Sequence, residues 1–410
     1  MASIKTLLLF VTFVCYTIAL PYDLDRYKYH FQSVIEPATM ADMVLPWGYP
    51  LEEHTVETED GYILTVYRIP YGRNETKSSK PRRALLLQHG VLCSSACWVL
   101  SDPDKGLGFV LADAGYDVWM GNSRGNTYSR KHKTLDPEKS SDKKQFWNFS
   151  FHEMGYYDLP AVIDYILDHT GQKQVYYVGH SQGTTQFFAM ASSKPEYNDK
   201  IKVSSHLAPI AFLDHTRGTV RVLCAFSKVL SWIAEHLGIY EVLSNSFILH
   251  LLDASVCRQT AITRPICDNI LFLIAGYDSQ QLNITLVPAI ADHCPAGAST
   301  KQLIHFGQLA TNGEKFRQFD YGSDNQKIYG FNEPPDYDLS KIKSPVVLHY
   351  SDNDWLAGTQ DVAKLYDSLP EGNKLKREVP FAYFNHLDFM WAIDVRPLLY
   401  DPMIEIMAKY

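Results

Sequence analysis

The sequence of 410 residues has no surplus of positive charge: 38 Lys and Arg stand against 46 Asp and Glu, for a formal net charge of −8. A nucleic-acid partner needs a basic face, so none is expected. Past the N-terminal segment, no apolar run approaches the roughly 20 residues that cross a bilayer, and no transmembrane segment is expected there. Internal repeats and low-complexity tracts are missing too, which excludes solenoids and disordered arrays. No group of histidines has metal-ligand spacing, so neither a metal nor a cofactor is expected.

What is present begins with Lys5, the apolar run from Leu7 to Cys15 and uncharged residues as far as Ala19. A short basic region followed by an apolar stretch too short to span a bilayer reads as a cleaved signal peptide over residues 1–20. Secretion to the extracellular space or a gut lumen follows from it, with the lysosome as the alternative. It also gives meaning to three sequons, at Asn74, Asn148 and Asn283, of which Asn148 lies in an aromatic stretch expected to be poorly accessible. Six cysteines remain beyond the signal: Cys93, Cys97, Cys224, Cys257, Cys267 and Cys294. In an oxidising compartment they can pair, and fifteen complete connectivities are open.

Short β-branched or aromatic runs alternate with helical periods, the rhythm of a parallel sheet with crossover helices. Strands are expected over 84–89, 116–120, 175–178 and 346–350. Helices are expected over 152–169, over 186–191 and after Met390. Between about 207 and 325 the rhythm breaks into helical patterns without clear strands. One of these carries Leu223, Phe226, Leu230, Ile233 and Leu237 on a stripe, with Gly238 as its stop. A helical insertion between two halves of a sheet is expected to cap the site.

Gly179-His180-Ser181-Gln182-Gly183 is a G-x-S-x-G pattern lying between strand residues and a helix-like run. That context points to a sharp turn that lifts the Ser181 hydroxyl out of the sheet and aims helix-start amides at developing negative charge. A serine nucleophile needs a base and the base needs an orienting carboxylate, in the chain order Ser, acid, His. His386 satisfies that order. Asp352 and Asp354, both after a strand, are open alternatives for the acid. The Gln182 amide and the Val91 amide, in the loop after the strand at 84–89, are the expected oxyanion donors, with His89 bracing that loop.

The motifs ETEDGYILTVYR (57–68), LLLQHGV (85–91), GYDVWMGNSRGN (115–126), GHSQGTT (179–185), PAGAST (295–300) and SDNDWLAG (351–358) occur in one order. From about Trp47 onward the chain resembles the acid lipase family, which includes gastric lipase, lysosomal acid lipase and insect relatives. The resemblance implies an α/β-hydrolase fold, with a mostly parallel sheet, flanking helices and a helical cap or lid. Its parts would be a first core segment over 21–206, the insertion over 207–325 and a second core segment over 326–410. It also implies the catalytic set Ser181, Asp354 and His386, the Val91 and Gln182 oxyanion amides, and a Cys257–Cys267 disulfide. Pairing of Cys93, Cys97, Cys224 and Cys294 stays open. The substrate implied is a lipid ester met at a lipid–water interface, a triacylglycerol or sterol ester. Two other readings use the same residues: an esterase for small soluble esters or peptides, and a catalytically silent lipid-binding or storage protein.

Overall fold

The computed structural model describes residues 37–75, 81–242, 276, 280–283 and 285–410. The signal segment and the Cys257–Cys267 pair lie outside the described residues. Eleven strands are formed among those described: β1 Glu52–Glu57, β2 Tyr62–Ile69, β3 Arg83–Gln88, β4 Tyr116–Met120, β5 Lys131–His132, β6 Val175–His180, β7 Ile201–Leu207, β8 Glu241–Val242, β9 Ala298–Ser299, β10 Val346–Tyr350 and β11 Lys374–Glu378. The main sheet runs β1-β2-β4-β3-β6-β7-β10-β11, with β5 beside β2. From β4 to β11 every pairing is parallel, and β1 and β2 form an antiparallel edge.

The central strands are apolar on both faces because helices cover both. Leu85, Leu86 and Leu87 of β3 and Val175, Tyr177 and Val178 of β6 are fully buried. Each such side chain stabilises the fold by about 1.5–3 kcal/mol relative to exposure. Helix Leu159–Thr170 turns one apolar face inward through Leu159, Val162, Ile163 and Ile166, and Gly171 ends it in the left-handed conformation at φ 67°. The expected helix over 152–169 is interrupted: a π-turn over Met154–Asp158 precedes that regular helix.

Between β7 and β10 the described residues are mainly helical, with one departure from expectation. β8 and β9 form a small antiparallel ladder, pairing Glu241 with Ser299 and Val242 with Ala298. These two-residue strands are too short to show a period in sequence. The striped helix is also two helices, Gly218–Ala225 and Ser227–Leu237, separated at Phe226; Gly238 stops the second, as expected, at φ 65°. Among the described residues no helix is long and apolar enough to cross a membrane.

The core holds several histidines without charge. Burial, with a smaller effect from the Arg377 charge, holds His349 down to about 3, and among the described residues neither of its ring nitrogens has a partner. Burial likewise holds His305 down to about 3. An unfolded chain takes up these protons below about pH 6.5, whereas the folded chain does not until about pH 3. Their contribution is therefore complete above about pH 6.5 and is lost as pH falls. His349→Leu should flatten the decline in melting temperature between pH 6.5 and 4. A wild-type-to-variant difference that stays constant over that range would contradict this.

Candidate active site

The carboxyl ends of β3, β6, β10 and β11 converge, and each delivers one part of the site, as expected for open α/β sheets. β6 ends at His180 and helix Gln182–Ser193 begins one residue beyond Ser181. Ser181 therefore carries the whole reversal, at φ 52° and ψ −118°. A non-glycine residue in that region costs of order 1–3 kcal/mol and persists only where its surroundings impose it. The imposing contacts are visible. The Ser181 amide donates to Leu207 O at 3.0 Å, and the Thr184 amide and hydroxyl donate to Ser181 O at 2.9 and 2.6 Å. A Cβ on Gly183 would lie 2.2 Å from the Gln88 carbonyl oxygen, so no other residue fits where this helix crosses the end of β3.

The loop after β3 packs directly on the elbow: a Cβ on Gly90 would sit 3.1 Å from the Ser181 Cβ. Among the described residues, the Val91 and Gln182 amides donate to no acceptor. His89 braces the loop, as expected. Its Nε2 accepts from the Ser123 amide and from Asn126 Nδ2, both at 3.1 Å. Nδ1 therefore carries the proton and donates to Gly90 O at 2.8 Å. Burial lowers the His89 pKa, which favours this neutral, single-proton form.

Asp354 follows β10, is fully buried, and lies 2.8 Å from His386 Nδ1, which donates to it. Its other oxygen accepts from the Leu356 and Ala357 amides at 2.8 and 2.9 Å. Asp352 is exposed, and among the described residues its backbone carbonyl accepts from Arg217 at 3.3 Å. The turn is thus braced by Asp354 itself, not by Asp352. His386 sits in a loop that Asn385 and Asp388 close on themselves: the Leu387 amide donates to Asn385 Oδ1 at 2.8 Å and the Asn385 amide to Asp388 Oδ2 at 2.5 Å.

His180 links the two halves. Its Nε2 donates to the His386 carbonyl at 3.0 Å, with ring centroids 5.0 Å apart. Burial, reinforced by the nearby His386, holds the His180 pKa down to about 3. Ser181 and His386 are brought to one place in this way, although no Ser181–His386 hydrogen bond is formed among the described residues; such bonds commonly tighten only with substrate.

Several contributors were not assigned from sequence. Ser123 and Asn126 were visible only as part of GYDVWMGNSRGN, and their role emerges from the His89 contacts. Arg124 of the same motif is buried, bonding both oxygens of Asp60 at 2.6 and 2.9 Å and Asp158 at 2.8 Å. The chain between β7 and β10 also touches the site: the Ala296 amide donates to Leu92 O at 2.7 Å, and Gln302 donates to the side chain of Gln182. Of the sequons, Asn74 and Asn148 are exposed and Asn283 is half-buried. Asn148 reverses the expectation of poor access, because its side chain points outward between the buried Trp147 and Phe149.

A serine at a strand–turn–helix elbow, a buried His–Asp pair after later strands and a facing loop of free amides define an α/β-hydrolase. Solved structures agree on the fold. A soluble variant of monoglyceride lipase from Saccharomyces cerevisiae superposes with a TM-score of 0.51 at 15% identity, covering 88% of this chain and 97% of that one. An acetylester hydrolase from Corynebacterium glutamicum also gives 0.51 at 15% identity, over 88% and 96%. The family described as alpha/beta hydrolase fold matches residues 83–215, and the partial alpha/beta-hydrolase lipase region matches residues 40–102. Lipase 3 of Drosophila melanogaster is 46% identical over 88% of this chain and 91% of its own length. Gastric triacylglycerol lipase of Rattus norvegicus is 41% identical over 90% and 91%. Human lysosomal acid lipase/cholesteryl ester hydrolase is 40% identical over 92% and 93%. The chain belongs to the acid lipase family. It is a carboxylic ester hydrolase of the class that works through a Ser–Asp–His triad.

Gly183→Ala should destabilise the fold by about 3 kcal/mol or more, because the added methyl meets backbone that cannot move aside. Chemical denaturation measures it, and an unchanged midpoint would show that the elbow relaxes where it is held here to be rigid.

Proposed function

We propose that Ser181, His386 and Asp354 hydrolyse lipid esters, triacylglycerols foremost and sterol esters second, through an acyl-enzyme. The observation that carries the assignment is the fully buried Asp354–His386 pair at 2.8 Å, beside the Ser181 elbow. His386 Nε2 takes the Ser181 proton as the hydroxyl oxygen attacks the ester carbonyl. Asp354 holds Nδ1 protonated, which leaves Nε2 free as the base and stabilises the imidazolium that forms. The Val91 and Gln182 amides receive the oxyanion, each contributing roughly 3 kcal/mol of transition-state stabilisation. The imidazolium then protonates the departing alcohol, and water, activated by His386, releases the fatty acid. The route needs no metal or cofactor.

The choice of a lipid substrate draws on the names of the relatives and on the chain between β7 and β10. Phe226, between helices Gly218–Ala225 and Ser227–Leu237, and Val229, Trp232 and Leu237 of the second helix are exposed there. We read this insertion, taken as 207–325, as a lid whose apolar face meets the lipid surface. Release of the 1–20 segment would deliver the enzyme outside the cell or to a lysosome, with Asn74, Asn148 and Asn283 as glycan acceptors and Cys257 bonded to Cys267.

Ser181→Ala should lower hydrolysis of emulsified trioctanoylglycerol by about 10⁴-fold or more with the melting curve unchanged. Retention of a tenth of the activity would exclude Ser181 as the nucleophile. Asp354→Asn should cost roughly 10³–10⁴-fold by leaving His386 in the wrong tautomer, and Asp352→Asn far less. The reverse order would move the acid to Asp352. Rates should climb when the ester passes its solubility limit; simple saturation through that limit, with preference for dissolved esters, would favour a small-ester hydrolase.

A further inference from the structure

Three sulfur atoms from distant parts of the chain meet beneath the oxyanion loop. Cys294 Sγ lies 3.2 Å from Cys97 Sγ and 3.4 Å from Cys93 Sγ. Cys93 stands two residues after Val91, and Cys97 lies in the short turn Ser95–Trp98 that follows. Cys294 caps helix Val287–His293, on the chain between β7 and β10. Two residues on, Ala296 already donates to Leu92 O at 2.7 Å, so the two segments are in register before any covalent bond is made.

Tetrahedral thiolate coordination with metal–sulfur bonds near 2.3 Å sets sulfurs about 3.8 Å apart. Both contacts here are shorter than that, which favours direct sulfur–sulfur bonding over a shared ion.

We propose that Cys97 and Cys294 form a reversible disulfide that ties the oxyanion loop to the lid-bearing insertion, with Cys93 as a resident thiol able to exchange into it. Cys294 is half-buried and reaches solvent, whereas Cys97 is buried. The step therefore begins at Cys294. Its thiolate attacks an external small-molecule disulfide, forming a mixed disulfide and releasing one small thiol. The Cys97 thiolate then attacks the Cys294 sulfur, forming the protein disulfide and releasing the second small thiol. Two protein thiols are oxidised, one external disulfide is reduced to two thiols, and the two protons end on those thiols. The local electrostatics suit the second attack: burial opposes ionisation of Cys97, but hydrogen bonds from the Cys294 and Cys93 thiols outweigh it and hold its pKa well below that of an ordinary thiol. The contacts with Cys93 and Cys97 push the Cys294 thiol up, so its accessibility and not its acidity makes it the first to react.

The test uses purified full-length protein, equilibrated with oxidised and reduced glutathione, alkylated, digested without reduction and mapped by mass spectrometry. Expected are a peptide pair joining Cys97 to Cys294, alkylation of Cys93, and the same linkage in Cys93→Ser. Reduction should lower the melting temperature of wild type by roughly 5 °C more than that of Cys294→Ser, which keeps every other cysteine. Quantitative alkylation of Cys294 in the oxidised protein would overturn the proposal. So would a dominant Cys93–Cys97 linkage, or stoichiometric zinc by elemental analysis accompanied by protection of all three thiols. The mapping is independent of esterase activity, so its failure and failure of the Ser181 assignment are distinguishable.

Discussion

The approach of Gly183 to the Gln88 carbonyl, 2.2 Å from where a Cβ would stand, is the constraint on which the rest of the site depends. It lets helix Gln182–Ser193 start directly over the end of β3. Ser181 is consequently held against the loop that follows β3, which carries Val91. On the proposed assignment, a wider separation would leave the Val91 and Gln182 amides too far apart to serve one oxygen. The unfavourable φ of Ser181 is the local consequence, held by hydrogen bonds to Leu207 and from Thr184.

Around this contact, polar side chains do what backbone ladders cannot. Loops at strand ends lack regular partners, and their buried polar groups must be satisfied individually. His89 does this for the loop after β3 by bonding Gly90, Ser123 and Asn126 together. Asn385 and Asp388 do it for the loop that carries His386, and Asp354 does it for its own turn while accepting from the imidazole. His180 then joins the strand that leads to Ser181 to the loop that carries His386, through its bond to His386 O. The bonds of His89 to Ser123 and Asn126, of Asp354 to His386 and of His180 to His386 O join residues far apart in sequence, whereas those within the Asn385–Asp388 and Asp354 turns are local.

That separation explains what could be read from the chain. The buried strands β4, β6 and β10 are legible because both faces are apolar, giving uninterrupted runs such as Val346-Val347-Leu348. The elbow is legible because its glycines are forced by close approach. The edge strands are not. β1 is Glu52–Glu57 and β11 is Lys374–Glu378, and both carry charges to solvent in a pattern that propensity does not favour as strand. The break at Phe226 interrupts a helical period without a proline or glycine to announce it, whereas the π-turn at Met154–Asp158 contains Gly155 and precedes Pro160. Asp354 could not be separated from Asp352 by alternation, since residues two apart share a side; burial and the His386 contact distinguish them in three dimensions. The meeting of Cys294 with Cys93 and Cys97 spans about two hundred residues and leaves no local trace.

We propose Ser181 as the single activated hydroxyl of this protein. Reaction with an alkyl phosphonate ester, followed by mass spectrometry of the digested adduct, tests it most directly. One phosphonyl group per chain is expected, on the peptide carrying Gly179-His180-Ser181-Gln182-Gly183, formed in step with loss of esterase activity and abolished when His386 is replaced. A stoichiometric adduct on any other residue, or full inactivation with Ser181 unmodified, would contradict it.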